Sequence, residues 1–143
     1  MITGMSARPD RTTEELADLV FQVAERLRGG FHAAAAEMDL PPAQALLLIQ
    51  LSEPHPMRAL ADMLGCDASN VTGIVDGLER RGLAIRRPSP DDRRVKHVVL
   101  TEEGERRRAA LRERSTAEAA VLFDLPDGRR DLLRELLDEV AAR

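Results

Sequence analysis

The sequence predicts a mainly α domain: a helix-turn-helix followed by a two-stranded β-hairpin, with helices at both ends reserved for dimerisation. Three observations predict it. Apolar residues recur at helical spacing over most of the chain. A helix–glycine–helix unit spans residues 58–81. A single β-branched hairpin follows that unit directly, in a chain otherwise patterned for helices.

Residues 1–11 lack periodicity and read as a flexible N-terminal tail. Thr12 or Thr13 then caps a first helix, with Glu14 and Glu15 favourable in its first turn. Leu16, Leu19, Val20, Val23 and Leu27 form one helical stripe. The helix continues to about Met38, with a weak point at Gly29-Gly30. Pro41-Pro42 breaks the chain, and Pro42 suits the first turn of a second, nearly all-apolar helix that Pro54 and Pro56 stop. Arg58–Leu64 is a short helix closed by Gly65. Asp67 caps the next, which Gly82 ends near Arg81. Leu83–Arg87 and Val95–Leu100 read as strands around the turn Pro88-Ser89-Pro90-Asp91-Asp92. Thr101, with Glu102 and Glu103, opens a long helix to about Phe123. A last helix starts at Pro126-Asp127 and carries the stripe Leu132, Leu133, Leu136, Leu137, Val140. The organisation is therefore a tail at 1–11, a dimerisation helix at 12–40, the helix-turn-helix and hairpin at 41–100, and dimerisation helices at 101–143. The terminal stripes need a partner, a second copy or in part their own subunit, because they lie outside the helix-turn-helix core and an isolated helix of that length is marginal.

Composition narrows the function. The 143 residues are 43% hydrophobic and 32% charged, a globular balance. No apolar run approaches the roughly 18 residues of a membrane span, and no apolar targeting segment is visible. A cytoplasmic protein with no membrane partner is expected. One cysteine excludes an intrachain disulfide, and His32, His55 and His97 lack metal-ligand spacing, so neither metal nor cofactor is expected. Without Trp or Tyr, and with only three Phe, the chain has no stacking platform for single-stranded nucleic acid. Phosphate-loop, zinc-protease and hydrolase signatures are missing, so no enzyme is expected. The net charge is −4, yet residues 80–96 hold seven basic residues against two acidic ones, leaving −9 on the rest. An acidic body with one basic segment reads either as a local anion-binding surface or as a solvated charged loop.

The candidate site follows from the helix pair. Leu60, Ala61, Leu64 and Cys66 face Val71 and Ile74 as a small core, so Cys66 reads as a structural thiol, with a redox switch ahead of the Asp67 cap as the other reading. Ser69, Asn70, Thr72, Gly73, Asp76 and Arg80 then face outwards, and short polar side chains there reach base edges or phosphates. Gly73 reads either as close approach of the helix to DNA or as tolerance in a packed helix. The hairpin tip Asp92-Arg93-Arg94 presents guanidinium groups to a narrow minor groove, with Asp92 holding the Arg94 fork. Arg106-Arg107-Arg108, among Glu102, Glu103 and Glu105, reads as a solvated helix face.

These residues carry a resemblance. Ser69-Asn70-Val71-Thr72, Leu78-Glu79-Arg80-Arg81-Gly82-Leu83, the hairpin signature Asp92-x-Arg94, and Leu100-Thr101-Glu102-Glu103-Gly104 resemble the MarR family of bacterial regulators. The resemblance implies a winged helix-turn-helix with a two-stranded β-hairpin wing and N- and C-terminal dimerisation helices. It implies a homodimer on pseudo-palindromic double-stranded DNA, a repressor loosened by a small lipophilic or phenolic effector. The DNA-binding residues would be Asp67, Ser69, Asn70, Thr72, Gly73, Arg80, Asp92, Arg93 and Arg94. Phe31, His32 and Met57 border an effector site or simply pack in the core. Two departures stand out: Pro41 replaces a common capping Thr or Ser, and Gly73 and Gly77 replace an Arg often found on the recognition helix. The other readings are a winged-helix module for protein partners or a small-molecule binder without sequence-specific DNA binding.

Overall fold

The structure is a computed structural model and describes residues 10–143. Most of the tail at 1–11 lies outside that range. Helix α1, Arg11–Glu37, is capped by Asp10, whose carboxylate accepts from both the amide and the hydroxyl of Thr13, each at 2.7 Å. The expected threonine cap is corrected: Asp10 takes the role, and Thr13 serves as donor. The glycine pair does not break α1. A Cβ on Gly30 would lie 2.6 Å from Glu118 Cγ, so a side chain here would block the close crossing of a later helix.

Helix α2, Pro42–Gln50, starts on Pro41 without a side-chain cap and buries Ala45, Leu47 and Leu48. Helix α3, Met57–Leu64, ends on Gly65 at φ 61°, where Cys66 N–H reaches the Ala61 carbonyl at 3.1 Å. That left-handed turn reverses the chain into α4, Ala68–Arg80. A second left-handed glycine, Gly82 at φ 70°, ends the unit.

Strands β2, Ala84–Pro88, and β3, Lys96–Leu100, pair antiparallel, with Arg86 opposite Val98. The sheet has a third strand. The two residues His55–Pro56, β1, pair with the other edge of β3, giving the order β1-β3-β2. The expected two-stranded hairpin is present as β2 and β3, and β1 extends it on the far edge of β3. A two-residue strand has no periodicity to read, and its existence depends on where β3 lands.

Helix α5, Glu102–Leu122, is capped by Thr101. Thr101 also donates its hydroxyl to the Gly82 carbonyl at 2.6 Å, and Gly104 N–H donates to that hydroxyl oxygen at 3.0 Å. A Cβ on Gly104 would sit 2.0 Å from the Leu83 carbonyl oxygen. The Thr-x-x-Gly pattern thus packs the start of α5 onto the turn that leaves α4. Arg107 and Arg108 are not a solvated face. They donate to the Met38 and Ile49 carbonyls, at 3.1 and 3.2 Å, satisfying acceptors at the ends of α1 and α2.

The core lies where these elements meet: Ala34, Ala35, Leu47, Leu48, Leu60, Val71, Val75, Leu78, Val98 and Leu111. The ends of the molecule contrast with it. Helix α6, Asp127–Ala141, buries no residue. Leu132, Leu136, Leu137 and Val140 are exposed along it, as are Leu16, Leu19, Val20 and Phe21 on α1. No helix among the described residues is long and apolar enough to cross a membrane.

Candidate nucleic-acid interface

The outer surface of α4 is set by its inner one. Val71, Val75 and Leu78 are fully buried and Ile74 packs against them. At about 100° per residue, the opposite side is centred on Ser69, Gly73 and Arg80. All three are exposed, as are Asn70 and Thr72 on the flanks. Asp67 anchors the first turn by accepting from Asn70 N–H at 3.1 Å and from the Ser69 hydroxyl at 2.9 Å. Those hydrogen bonds, the Asn70 amide first, favour the carboxylate and hold Asp67 below its ordinary value of 3.8. Thr72 donates its hydroxyl to the Ala68 carbonyl at 3.0 Å.

The two glycines of α4 separate by environment. A Cβ on Gly73 would meet nothing within 4 Å, whereas one on Gly77 would sit 2.2 Å from Gln44 Nε2. Gly77 is therefore a packing glycine at the α2–α4 contact. Among the described residues no contact demands Gly73.

Asp76 does not face freely outwards. Arg86, projecting from β2, donates to Asp76 at 2.8 Å and to Glu79 as well, tying the hairpin to the flank of α4. At the hairpin tip, Ser89 is 5% exposed; its N–H donates to the Val95 carbonyl at 2.8 Å and its hydroxyl accepts from Asp91 N–H at 3.3 Å. Asp92 accepts from the Arg94 backbone N–H at 3.0 Å. The role expected of Asp92 is thus corrected: it fixes the turn through the backbone, and no ion pair joins it to the Arg94 guanidinium among the described residues. The local geometry favours the amide, two residues on in an Asx turn.

Arg80, Arg87, Arg93, Arg94 and Lys96 are exposed and take part in none of the ion pairs among the described residues. Arg86 is spent on α4, and Arg81 stands 3.9 Å from Asp39. The usable positive surface is therefore smaller than the sequence count, and it is carried by α4 and the hairpin.

The effector candidates are less unified. Phe31 and Met57 are half-buried against the core, and His32 is exposed beside Phe31 with ring centroids 6.2 Å apart. None of the three lines the groove of Ala43, Leu46, Leu64, Cys66, Asn70 and Ile74, nor the open one along α6. Among the described residues no cluster of His, Cys, Asp and Glu is arranged to hold a metal ion. Sequence reasoning missed Arg86 and Gln44. A signal for Arg86 existed: on the strand it shares a face with buried Ala84, where an arginine needs an acidic partner.

A helix-turn-helix packed on a three-stranded wing defines a winged-helix protein. Residues 40–96 match the MarR family. The chain is 32% identical over 108 residues to the HTH-type transcriptional repressor NicR of Pseudomonas putida, covering 71% of this chain and 68% of NicR. The chain belongs to the MarR family of winged-helix transcriptional regulators. Two other transcriptional regulators align over only 66% and 35% of their own lengths. Among solved structures, CouR from Rhodococcus jostii bound to p-coumaroyl-CoA is similar at 29% identity and a TM-score of 0.72, covering 93% of this chain and 96% of CouR. A MarR family protein from Bacillus stearothermophilus shares the fold, with a TM-score of 0.84 at 22% identity, over 95% of this chain and 97% of that one.

The cap supplies a first prediction. Asp67→Ala should lower the melting temperature by a few degrees, because Asn70 N–H loses its acceptor. Asp67 is depressed on folding, so its contribution is present above pH 3.8 and is lost as the pH falls through the folded value. In thermal melts of both proteins from pH 7 down to pH 3, the gap should narrow towards the acid end. A constant gap would refute the charged cap.

Proposed function

We propose that the protein is a homodimeric repressor that binds a pseudo-palindromic operator in double-stranded DNA and is released by a small lipophilic or phenolic ligand. In this reading α4 enters the major groove and the wing reaches the adjacent minor groove. Asp67 holds the first turn of α4, and Ser69, Asn70 and Thr72 contact bases or phosphates. Gly73 allows close approach, and Arg80 clamps a phosphate. Arg93 and Arg94 act at the wing tip, with Asp92 shaping the turn.

The observation that carries this reading is the open surface at Gly73 on α4, together with five exposed cations on α4 and the wing that form no ion pair among the described residues. The bare apolar face of α6 supports the second copy. Ligand release draws on CouR, which binds p-coumaroyl-CoA; Phe31, His32 and Met57 would border such a site here.

Selection of bound duplexes from random DNA tests the reading, and a palindrome should be recovered. Each phosphate neutralised adds about −0.9 to the slope of log K against log salt, so ten cations per dimer set a limit of about −9. A flat salt curve with no enriched duplex would instead favour a winged-helix module for protein partners.

A further inference from the structure

One arginine of the basic segment, Arg86, is bound by two carboxylates of the chain itself. Arg86 Nη2 lies 2.8 Å from Asp76 Oδ1, while its Nη1 bonds Glu79 Oε2. The Arg86 side chain is only 26% exposed, so its fork points back at the protein. Asp76 and Glu79 are one helical turn apart on the flank of α4 that faces the wing. That flank adjoins Ser69, Gly73 and Arg80, the surface proposed to meet a polyanion. Two bare carboxylates there would repel the phosphates that Arg80, Arg93 and Arg94 attract.

We infer that Arg86 is a positioning residue that serves DNA binding without touching DNA: it masks the Asp76 and Glu79 carboxylates on the recognition helix. The inference rests on the DNA-binding reading above. Its chemistry is distinct from that of the wing-tip arginines. Arg94 acts by adding a cation at a groove, and Arg86 acts by silencing anions beside one. A guanidinium suits the task because one planar fork reaches two carboxylates at once.

The test measures affinity of the full-length protein for the selected duplex across a salt series. Arg86→Gln should weaken binding at least tenfold with an unchanged salt slope, since no phosphate contact is lost. The triple variant Asp76→Asn, Glu79→Gln, Arg86→Gln should return to within about threefold of wild type, because the anions are gone with their mask. Melting curves and light scattering on each variant report whether the fold and the dimer persist. Three results would overturn the inference: a slope shallower by about 1.8 per dimer, which means a direct phosphate contact on each subunit; a triple variant as weak as the single one; or a loss that tracks unfolding in both. A wild type that binds no duplex would sink the DNA-binding reading itself, and this inference with it. A wild type that binds beside an unaffected Arg86→Gln would sink this inference alone.

Discussion

Arg94→Ala is expected to weaken operator binding at least tenfold while the dimer stays intact. Arg94 is exposed at the wing tip, and no ion pair among the described residues engages its guanidinium. Its backbone is held by Asp92 and by the Ser89–Val95 closure, so the side chain leaves from a fixed point. A narrow minor groove concentrates negative potential, and an arginine placed there gains more than a cation on an open phosphate. Tenfold corresponds to about 1.4 kcal/mol. In the proposed dimer the wing acts twice, so each subunit need supply only about half of that. The substitution removes no buried group and no partner from the fold, so light scattering and thermal melts should match wild type. Unchanged affinity in a titration would remove the wing from the mechanism.

Leu136→Asp should have a larger effect, converting the dimer to a monomer and abolishing tight operator binding. Leu136 is 50% exposed on a helix that buries nothing in its own chain. Burying the exposed halves of Leu132, Leu136, Leu137 and Val140 against a second copy would contribute about 1 kcal/mol for each side chain. An aspartate removes that gain and adds a desolvated charge at the same place, and two-fold symmetry doubles the penalty. The operator loss follows from geometry, since one recognition helix and one wing cannot span two half-sites. The helix-turn-helix core lies elsewhere, around Leu60, Val71 and Val98, so the monomer should stay folded. Light scattering of wild type and variant decides the matter: a wild type already monomeric, or a variant still dimeric, would refute this role for α6.

The parts of the fold legible in the sequence are those that obey local chemistry. Gly65 and Gly82 mark left-handed turns because only a residue without Cβ adopts them cheaply. Asp67 and Thr101 mark helix starts because their side chains reach an amide three residues ahead. Even this chemistry has competition: Asp10 displaced the threonines at the start of α1, since a carboxylate accepts from both donors of Thr13. The candidate interface was legible for the same reason. An inward stripe of Val71, Val75 and Leu78 leaves Ser69, Gly73 and Arg80 outside by helical geometry alone. The Arg93-Arg94 tip needs only a hairpin to project it.

The sequence by itself determined the helices and the β2–β3 hairpin, most of their caps and turns, the outer face of α4 and the surplus of apolar stripes at both ends, all from contacts within a few residues. Only the tertiary structure decided that Gly77 makes room for Gln44, that Arg86 is spent on Asp76 and Glu79, and that His55–Pro56 forms a strand. It alone showed that Arg107 and Arg108 bind carbonyls 69 and 59 residues away. The strand carries no local signal at all, and the other three share one physical reason. A charge or a missing side chain announces that a partner or a close approach is needed, but it carries no address. The address is set when helices and strands far apart in the chain pack against one another.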